Sequence, residues 1–260
     1  MYYNKDQLQL YIKPTDGEID DVIKQIEDSS KKIDAVHFTG GRAYELHKKY
    51  SKKYKSTLVD EFEANINGID LLYMFKKQKT LFSSLIVTIG TGTSIVKKDK
   101  LIEHIGGSSL GGGVFMALMK LLFNLEDYSM VVRLASKGNR YNVDLKVSDI
   151  YSKDDNRIDD IFKEFTAASL GKISTPHDLE SIKKEDIIQS ILYIIGESIG
   201  ILSACMAEIH NLSQIIYCGG LLIDNKVLKN VLKTITRIKK QKAFFLNNSE
   251  FAGAIGTLLT

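Results

Sequence analysis

A run of glycines and hydroxyl residues at Gly90–Ser94 joins two short β-branched segments. Glycine permits positive φ in a turn and lets a ligand approach the backbone closely. The hydroxyls of Thr91, Thr93 and Ser94 and the free amides of such a turn can face one point, which suits a phosphate group. The pattern indicates a phosphate-binding turn, with an ordinary hairpin turn as the alternative.

A second glycine-rich segment, Gly106–Phe115, carries five glycines in its first eight positions and leads into an apolar helix predicted at Val114–Phe123. A helix N-terminus offers unpaired amides and a partial positive charge, so anions can bind there when glycines give them access. The segment lacks the lysine of a P-loop. We interpret it as a second phosphate-binding segment, with a plain flexible loop as the alternative.

A third exit from a strand to glycines occurs at Gly219-Gly220, after the predicted strand Gln214–Cys218. Absence of side chains there would leave a flat slot for an adenine ring. A simple strand-to-helix turn explains the same residues equally well.

Three carboxylates, Asp60, Glu61 and Glu63, lie between a short strand and a helix. Phosphoryl transfer needs a carboxylate that orients or deprotonates the acceptor hydroxyl. Acidic residues at a helix start also complement the helix dipole. The pattern alone does not choose among the three.

Composition excludes several other functions. The 260 residues are 44% hydrophobic and 26% charged, with a net charge of +3, which indicates a globular protein without the footprint of a nucleic-acid-binding or membrane-binding protein. The basic run at 48–55 is interpreted as a solvated helix face. Polar residues interrupt the apolar stretch Ile187–Ile209, so we expect no membrane span. The two cysteines, Cys205 and Cys218, fit neither a redox pair nor a zinc site, and we expect reduced thiols in a cytoplasmic protein.

The second half of the chain predicts a particular order of elements. Three consecutive strands, Ser84–Ile89, Thr93–Lys97 and Leu101–His104, form a meander, and helices follow to about residue 210. A strand, a helix, the strand Ala243–Leu246 and the last helix Phe251–Leu259 complete the order βββ-α…β-α-β-α. This is the layout of a ribonuclease-H-like lobe.

The first half shows only the later part of such a lobe. Its strands are expected at Gln9–Lys13, Ala35–Thr39 and Thr57–Val59, with an amphipathic helix at Asp16–Ser29. The predicted fold class is therefore α/β, with two ribonuclease-H-like lobes as in the actin, sugar-kinase and heat-shock-chaperone superfamily, the first lobe incomplete. We expect a partial lobe at 1–80, a complete lobe at 81–260, and a boundary near Lys77–Ser83. In this superfamily a nucleotide binds in the cleft between the lobes.

The ordered set of segments resembles the type II pantothenate kinases, which phosphorylate pantothenate with ATP. The matching segments are ordered and spaced as in that family from about residue 35 to the end: Phe38–Ala43, Glu61–Ala64, Ile89–Ser94, Gly106–Phe115, Ala135–Gly138, Asp144–Val147, Asp149–Tyr151, Thr166–Gly171, Gly219-Gly220 and Ala252–Gly256.

The resemblance implies a role for each matched residue. Glu61 matches the catalytic base, and its carboxylate is expected to face the two glycine-rich segments across the cleft. ATP would contact the hydroxyl of Thr91 and the backbone from Gly112 to Met116 (Gly112, Gly113, Val114, Phe115 and Met116), while Tyr128 and Gly220 would lie beside the adenosine. Ser94 matches a substrate-binding position.

The resemblance also implies partners. Members use ATP and Mg²⁺ and form homodimers, commonly through long helices such as the one predicted at Glu185–His210. Their pantothenate pocket also accepts the pantetheine arm of inhibitory CoA thioesters.

The sequence departs from the family at two places. The family begins with a strand and an Asp-x-Gly-Gly-Thr turn that holds phosphates and Mg²⁺, and nothing in Met1–Ile12 matches it. An arginine that binds substrate in the family is replaced by His104, which has a shorter reach. The leading hypothesis is ATP-dependent phosphorylation of pantothenate. The alternatives are a relative that binds nucleotide or CoA thioester without turnover, and a chain whose first residues are missing.

Overall fold

The structure is a computed structural model that describes residues 2–4, 7–10, 19–29, 33–151, 155, 157, 159, 163–173 and 182–259. The chain forms two compact units. Unit 1 comprises Met1–Phe82, Lys98–His104 and Leu246–Thr260, and unit 2 comprises Ser83–Lys97 and Ile105–Phe245. The first division falls inside the segment predicted as the boundary, but a single division at residue 80 misses the two later segments that belong to unit 1.

The elements of the described residues are numbered along the chain. The strands are β1 (Tyr2–Asn4), β2 (Gln7–Gln9), β3 (Val36–Phe38), β4 (Ser56–Leu58), β5 (Ser84–Ile89), β6 (Thr93–Lys98), β7 (Ile102–Ser108), β8 (Leu145–Lys146), β9 (Thr166–Ala168), β10 (Gln214–Cys218) and β11 (Lys242–Phe245). The helices are α1 (Ile19–Ser29), α2 (Ala43–Tyr50), α3 (Glu61–Lys77), α4 (Gly112–Phe123), α5 (Tyr128–Ala135), α6 (Val147–Ile150), α7 (Lys184–Ile209), α8 (Lys226–Ile238) and α9 (Ala252–Gly256). Short 3₁₀ turns occupy Arg140–Asn142, Gly220–Leu222 and Ser249–Phe251.

Unit 2 contains most of a five-stranded mixed sheet in the order β7-β6-β5-β10-β11. The connections from β5 to β6 and from β6 to β7 are three residues long, which permits only antiparallel neighbours. β10 pairs in parallel with β5, where Ile215 is opposite Leu85, and with β11, where Ile215 is opposite Ala243. This strand order is the one that the predicted ribonuclease-H-like lobe requires, so that prediction is confirmed for unit 2.

The third strand of the meander is longer than the sequence predicted. The expected strand ended at His104, whereas β7 continues through Gly106 and Gly107 to Ser108. A Cβ at Gly107 would lie 2.5 Å from the carbonyl oxygen of Thr93, so this glycine lets two strands approach each other. The predicted glycine loop is thereby reduced to the three residues before α4.

The long helix α7 is a core element of unit 2. It is long and apolar enough to cross a bilayer by length and composition, but 56% of its most apolar window is buried inside the protein. The polar residues of this helix therefore do not by themselves exclude a membrane span. Its burial in the protein core explains why it is apolar. Gly196 and Gly200 bring it close to α8, since a Cβ at Gly196 would lie 2.8 Å from Leu228 Cδ1 and one at Gly200 3.2 Å from Ile235 Cβ.

A buried ionic network ties the segment after α5 to α7. The Arg140 guanidinium donates from Nε to Asp144 and from Nη1 to Glu197, both at 2.6 Å. The second oxygen of Asp144 accepts from the amide of Leu170 at 2.8 Å and the hydroxyl of Ser190 at 2.5 Å. Because removing one partner would leave an uncompensated buried charge, this network holds the connecting segments in place.

Unit 1 contains a parallel pair of strands linked by a helix. β3 and β4 pair with Phe38 opposite Leu58, and α2 connects them. Asp60 caps α3 by accepting from the amides of Phe62 at 2.9 Å and Glu63 at 3.0 Å. The cap fixes the start of the helix at Glu61.

The N-terminal elements differ from those expected. β2 pairs antiparallel with β1, with Tyr2 opposite Gln9, so it is the second strand of a hairpin. Residues 11–13 of the strand predicted at Gln9–Lys13 and residues 16–18 of the helix predicted at Asp16–Ser29 lie outside the described residues. The last predicted helix, Phe251–Leu259, is divided into a 3₁₀ turn and the short helix α9.

Two glycines let α3 and α9 pack backbone against backbone in unit 1. A Cβ at Gly68 would lie 1.9 Å from the carbonyl oxygen of Ala252, and one at Gly256 would lie 1.7 Å from that of Ala64. No side chain fits either position unless the helices separate.

We therefore expect Gly68→Ala and Gly256→Ala each to lower the free energy of unfolding by about 1–3 kcal/mol, because each forces overpacking. Urea unfolding measures this. Gly41→Ala is the control, since a Cβ there meets nothing within 4 Å. Equal stabilities for Gly256→Ala and Gly41→Ala would contradict the packing described.

Candidate functional site

Two of the glycine-rich segments meet at one edge of the unit 2 sheet. The amide of Gly112 donates to the carbonyl of Gly90 at 2.7 Å, and the amide of Gly113 donates to the carbonyl of Thr91 at 2.9 Å. Thr93 adds a bond from its hydroxyl to the Leu110 carbonyl at 2.7 Å. The turn after β5 and the start of α4 are therefore adjacent, as the phosphate-site prediction requires.

The glycines at this junction are required by close approach. A Cβ at Gly111 would lie 2.6 Å from the carbonyl oxygen of Thr91, and one at Gly113 would lie 2.7 Å from Thr91 Cγ2. The turn 90–92 and the helix start are thus in backbone contact. Any larger residue at these two positions would push them apart.

Hydrogen bonding within the junction leaves few amides for a ligand. The amides of Gly112 and Gly113 are used in the bonds above, and the amide of Phe115 donates to the Gly111 carbonyl at 3.1 Å. Within the part of the chain that the structure describes, the Val114 amide has no hydrogen-bond partner. It lies in the first turn of α4, where the helix dipole favours an anion.

The predicted hydroxyl positions differ in their surroundings. Thr91 is exposed at the turn, whereas Ser94 is half-buried on β6, and its Oγ is buried without a hydrogen-bond partner. A buried hydroxyl without a partner is costly unless something binds it. That Ser94 binds the substrate stays a prediction.

The third glycine exit lies at the same edge of the sheet. Gly219 has φ of +106°, and a Cβ there would lie 2.4 Å from the carbonyl oxygen of Ile89, the last residue of β5. Gly220 meets nothing within 4 Å, and a Cβ at Gly112 would lie 3.7 Å from Leu221 Cδ1. The carboxyl ends of the parallel strands β5 and β10 thus carry all three segments, which is where α/β sheets bind ligands.

Tyr128 lies at the start of α5 and holds the segment that follows Gly220. Its hydroxyl donates to the carbonyls of Leu221 at 2.7 Å and Ile223 at 3.2 Å. Burial raises the pKa of Tyr128 to about 12, so it remains a neutral donor. It also borders a cavity of about 330 Å³ whose lining includes Arg133 and Val227. The two residues predicted beside the adenosine are therefore brought to neighbouring positions.

Cys218, the last residue of β10, does no thiolate chemistry. Burial raises the pKa of its thiol to about 12, and the thiol lies 3.2 Å from Thr88 Oγ1. A thiol must ionise to act as a nucleophile, so Cys218 is a packing residue.

Unit 1 holds the candidate base and the residue that departs from the family. Glu61 is exposed at the first position of α3, and Asp60 is already used as the helix cap, so capping accounts for Asp60 but not for Glu61 or Glu63. The ring of His104 packs against Phe62, with 4.8 Å between ring centroids. His104 thus neighbours the residue after Glu61, a contact that the sequence did not reveal. That the Glu61 carboxylate faces the glycine-rich segments stays a prediction.

Sequence reasoning assigned no role to Thr39, although the segment Phe38–Ala43 carries part of the resemblance. Its Oγ1 is buried and lacks a hydrogen-bond partner. A buried, unpaired hydroxyl becomes visible only in three dimensions, so no sequence signal could have identified it.

The fold and the site define an α/β protein whose ribonuclease-H-like sheet carries glycine-lined turns suited to phosphate. A family model described as Fumble matches residues 3–260. The type II pantothenate kinase of Bacillus cereus (strain AH820) is 34% identical over 262 residues, covering 99% of this chain and 91% of the relative. The type II pantothenate kinase of Oceanobacillus iheyensis is 34% identical over 226 residues, covering 87% of this chain and 82% of the relative. The chain therefore belongs to the Fumble family, the type II pantothenate kinase family.

Similar solved structures are more distant. The activator of the 2-hydroxyisocaproyl-CoA dehydratase from Clostridium difficile with bound ADPNP has a TM-score of 0.47 at 15% identity, covering 85% of this chain and 81% of its own. The ROK hexokinase from Thermus thermophilus has a TM-score of 0.47 at 12% identity, and the match covers 82% of this chain and 66% of the hexokinase chain.

The contact between Gly113 and Thr91 predicts that substitutions at these two positions have coupled effects on the affinity for nucleotide. Gly113→Ala should raise the dissociation constant of an ATP analogue about tenfold or more, the equivalent of about one lost charge-assisted hydrogen bond. The physical reason is that the new methyl group pushes the turn away from α4. Thr91→Ser added to Gly113→Ala should restore part of the affinity, because it removes the methyl group that clashes. Isothermal titration calorimetry measures both, and no recovery in the double variant would contradict the geometry.

Burial of the Cys218 thiol predicts a loss of stability at alkaline pH. Its pKa is raised from 9 to about 12, so the unfolded state releases the proton first. The resulting stabilisation is complete below pH 9 and is lost as pH rises from 9 towards 12, at up to about 1.4 kcal/mol per pH unit. Urea unfolding of the wild type and Cys218→Val between pH 7 and 10 should show a shallower decline in the variant. The same decline in both would contradict the assignment.

Proposed function

We propose that this chain transfers the γ-phosphoryl group of ATP to pantothenate, giving 4′-phosphopantothenate, the first step of coenzyme A biosynthesis. The observation that supports this most strongly is the 34% identity to a type II pantothenate kinase over 99% of the chain. The junction of glycine-rich segments at the carboxyl ends of β5 and β10 supports it independently.

In the proposed reaction the primary hydroxyl of pantothenate attacks the γ-phosphorus of ATP. A bond forms from the hydroxyl oxygen to phosphorus, and the bond from phosphorus to the oxygen shared with the β-phosphate breaks. The proton of the hydroxyl passes to the Glu61 carboxylate, and ADP leaves. Glu61 thus acts as the general base.

The nucleotide would be held by the unit 2 residues described above. The unpaired Val114 amide and the dipole of α4 would bind a phosphate oxygen, and the exposed Thr91 hydroxyl would donate a further hydrogen bond. Gly112 and Gly113 carry no side chain and would let the phosphates approach the helix start, while their own amides donate within the protein. Tyr128 and Gly220 would border the adenosine.

Mg²⁺ is proposed to accompany ATP. The described residues contain no group of three or more His, Cys, Asp or Glu side chains that could hold a metal ion. Mg²⁺ keeps several waters and is commonly held by substrate phosphates with one or two carboxylates, so we propose an ion bound chiefly by the triphosphate. When bound, it would neutralise charge on the phosphates.

Pantothenate would contact the unpaired hydroxyl of Ser94 and the side chain of His104. His104 offers ring nitrogens where the family has an arginine, and it is supported from one side by Phe62. The pantetheine arm of CoA contains the pantothenate moiety, so the same pocket is proposed to accept CoA thioesters as inhibitors.

A homodimer in the cytoplasm is the proposed working form. On the surface of unit 2, α7 exposes Ile201 and Ile209, and α4 exposes Leu121, which is 81% accessible. Burial of such apolar groups against a second copy would stabilise an association. The proposal extends the predicted role of α7 to include α4.

Replacement of the proposed base is the direct test. Glu61→Gln should lower kcat for ADP formation from ATP and pantothenate by about 10²–10⁴-fold, because the amide cannot accept the hydroxyl proton. A coupled assay of ADP release measures this, with far-UV circular dichroism to show that the variant is folded.

Glu63→Gln is the matched control, since Glu63 is an exposed carboxylate in the same first turn of α3. It should retain turnover close to that of the wild type. A wild-type protein that binds ATP but releases no ADP with pantothenate would contradict the proposed function. Equal losses in both variants would contradict the role of Glu61.

A further inference from the structure

Unit 2 contains a second cavity, of about 600 Å³, whose lining residues all lie between positions 141 and 172. None of them has a role in the candidate site described above. Small-molecule sites commonly occupy a few hundred to a thousand Å³, so this cavity is large enough for a ligand. The chemistry of its lining indicates which kind.

Three lysines line the cavity around the antiparallel pair of β8 and β9. Lys146 lies on β8, Lys163 precedes β9 and Lys172 follows it. Tyr141 completes this part of the lining, next to Arg140, whose ion pair with α7 fixes the segment to the core. Pairing of the two strands thus brings together cations that are distant in sequence.

The charged atoms of two lysines lie at the wall of the cavity. Lys146 Nζ lies 4.4 Å from the centroid of the Tyr141 ring, and Lys172 Nζ donates to the Tyr141 carbonyl at 2.8 Å. Both ammonium groups therefore contact the same lining residue. Their side chains are 25% and 22% exposed, respectively, so solvent and solutes can reach them.

The charges of the lining do not cancel. Glu164 accepts from Lys146 Nζ at 2.8 Å, and Asp149 lies 3.1 Å from Lys172 Nζ. The hydrogen bond to Glu164 raises the pKa of Lys146, so this lysine remains cationic. Three ammonium groups, with Lys163 as the third, thus face two carboxylates, which leaves one positive charge in excess.

The carboxylate of Asp155, which interacts electrostatically with Lys163, does not remove this excess. Asp155 forms its own ion pair with Arg157, whose Nη2 donates at 2.7 Å, so this pair is neutral as a whole. Positive charge that lines a concave surface raises the local concentration of anions. The cavity is therefore suited to an anion.

Hydrogen-bond donors at the cavity favour a phosphate group among anions. An ammonium group has three N–H donors, and Lys146 uses one of them for Glu164. Among the residues that the structure describes, the half-buried hydroxyl of Ser148, which also lines the cavity, has no hydrogen-bond partner. A phosphate monoester carries up to two charges and three acceptor oxygens, so it can use several donors at once.

We propose that this cavity binds a phosphorylated small molecule. The charges of Lys146, Lys163 and Lys172 attract its phosphate group, and Lys146 and Ser148 donate hydrogen bonds to it. This site is separate from the proposed nucleotide site and does not depend on the proposed function.

Isothermal titration calorimetry with pyrophosphate at low ionic strength tests the proposal. Lys146→Gln and Lys172→Gln should each raise the dissociation constant about fivefold, the effect of one unit charge at about 4 Å in water. Lys239→Gln is the matched control, because it removes a lysine that pairs with Glu208 at 3.3 Å and does not line the cavity. It should bind pyrophosphate as the wild type does.

Two further variants separate ligand binding from a structural role. Glu164→Gln removes a carboxylate that competes for Lys146, so it should lower the dissociation constant about fivefold. Lys146→Arg keeps the charge and should bind within about threefold of the wild type. A change that only disturbs the fold would not tighten binding, and thermal unfolding of each variant checks that it is folded.

Equal dissociation constants for the wild type, Lys146→Gln and Lys172→Gln would overturn the proposal, since pyrophosphate would then bind elsewhere, such as at the start of α4. Weaker binding by Glu164→Gln would also overturn it. Citrate that binds as tightly as pyrophosphate would overturn the preference for phosphate. A matching loss of affinity for an ATP analogue in Lys146→Gln would overturn the separation from the nucleotide site.

Discussion

Two backbone hydrogen bonds, from Gly112 to Gly90 and from Gly113 to Thr91, fix the geometry on which the rest of the site depends. They join the first turn of the sheet to the first turn of α4, so the positive end of the helix dipole lies at the carboxyl end of β5. Main-chain hydrogen bonds of this kind need no particular side chain, but they form only where the side chains are small enough for the two backbones to approach. Glycine at the junction is therefore a condition for the arrangement.

The same bonds change how a phosphate can be held. A run of glycines before a helix indicates a row of free amides, yet two of these amides already donate within the protein. The Val114 amide, with the helix dipole, is the group that we propose for a phosphate oxygen. Mg²⁺ is proposed to neutralise further charge on the triphosphate.

The sequence predicted the sheet of unit 2 well, because β-branched runs separated by three-residue turns permit few alternatives to a meander. It failed where glycine was interpreted as a loop, since Gly106 and Gly107 serve the close approach of β7 to β6. The sequence prediction also failed for β2 in unit 1. The pairing of β2 with β1 in a hairpin depends on contacts between strands, which the hydrophobic pattern of a single strand does not indicate. Of the candidate site, the motifs predicted which glycine-rich segments meet, whereas the buried hydroxyl of Thr39 and the ring contact between Phe62 and His104 became visible only in the structure. The roles of the individual residues stay predictions.

Both units place their polar chemistry by the same physical rule. Parallel strands all end at one edge, so residues distant in sequence become neighbours there, as Ile89 and Gly219 do in unit 2 and Phe38 and Val59 do in unit 1. Unpaired hydroxyls occur near both edges, at Ser94 and Thr39. Because an unpaired buried hydroxyl costs free energy, both positions are ones at which the protein tolerates an unsatisfied polar atom close to the end of a strand.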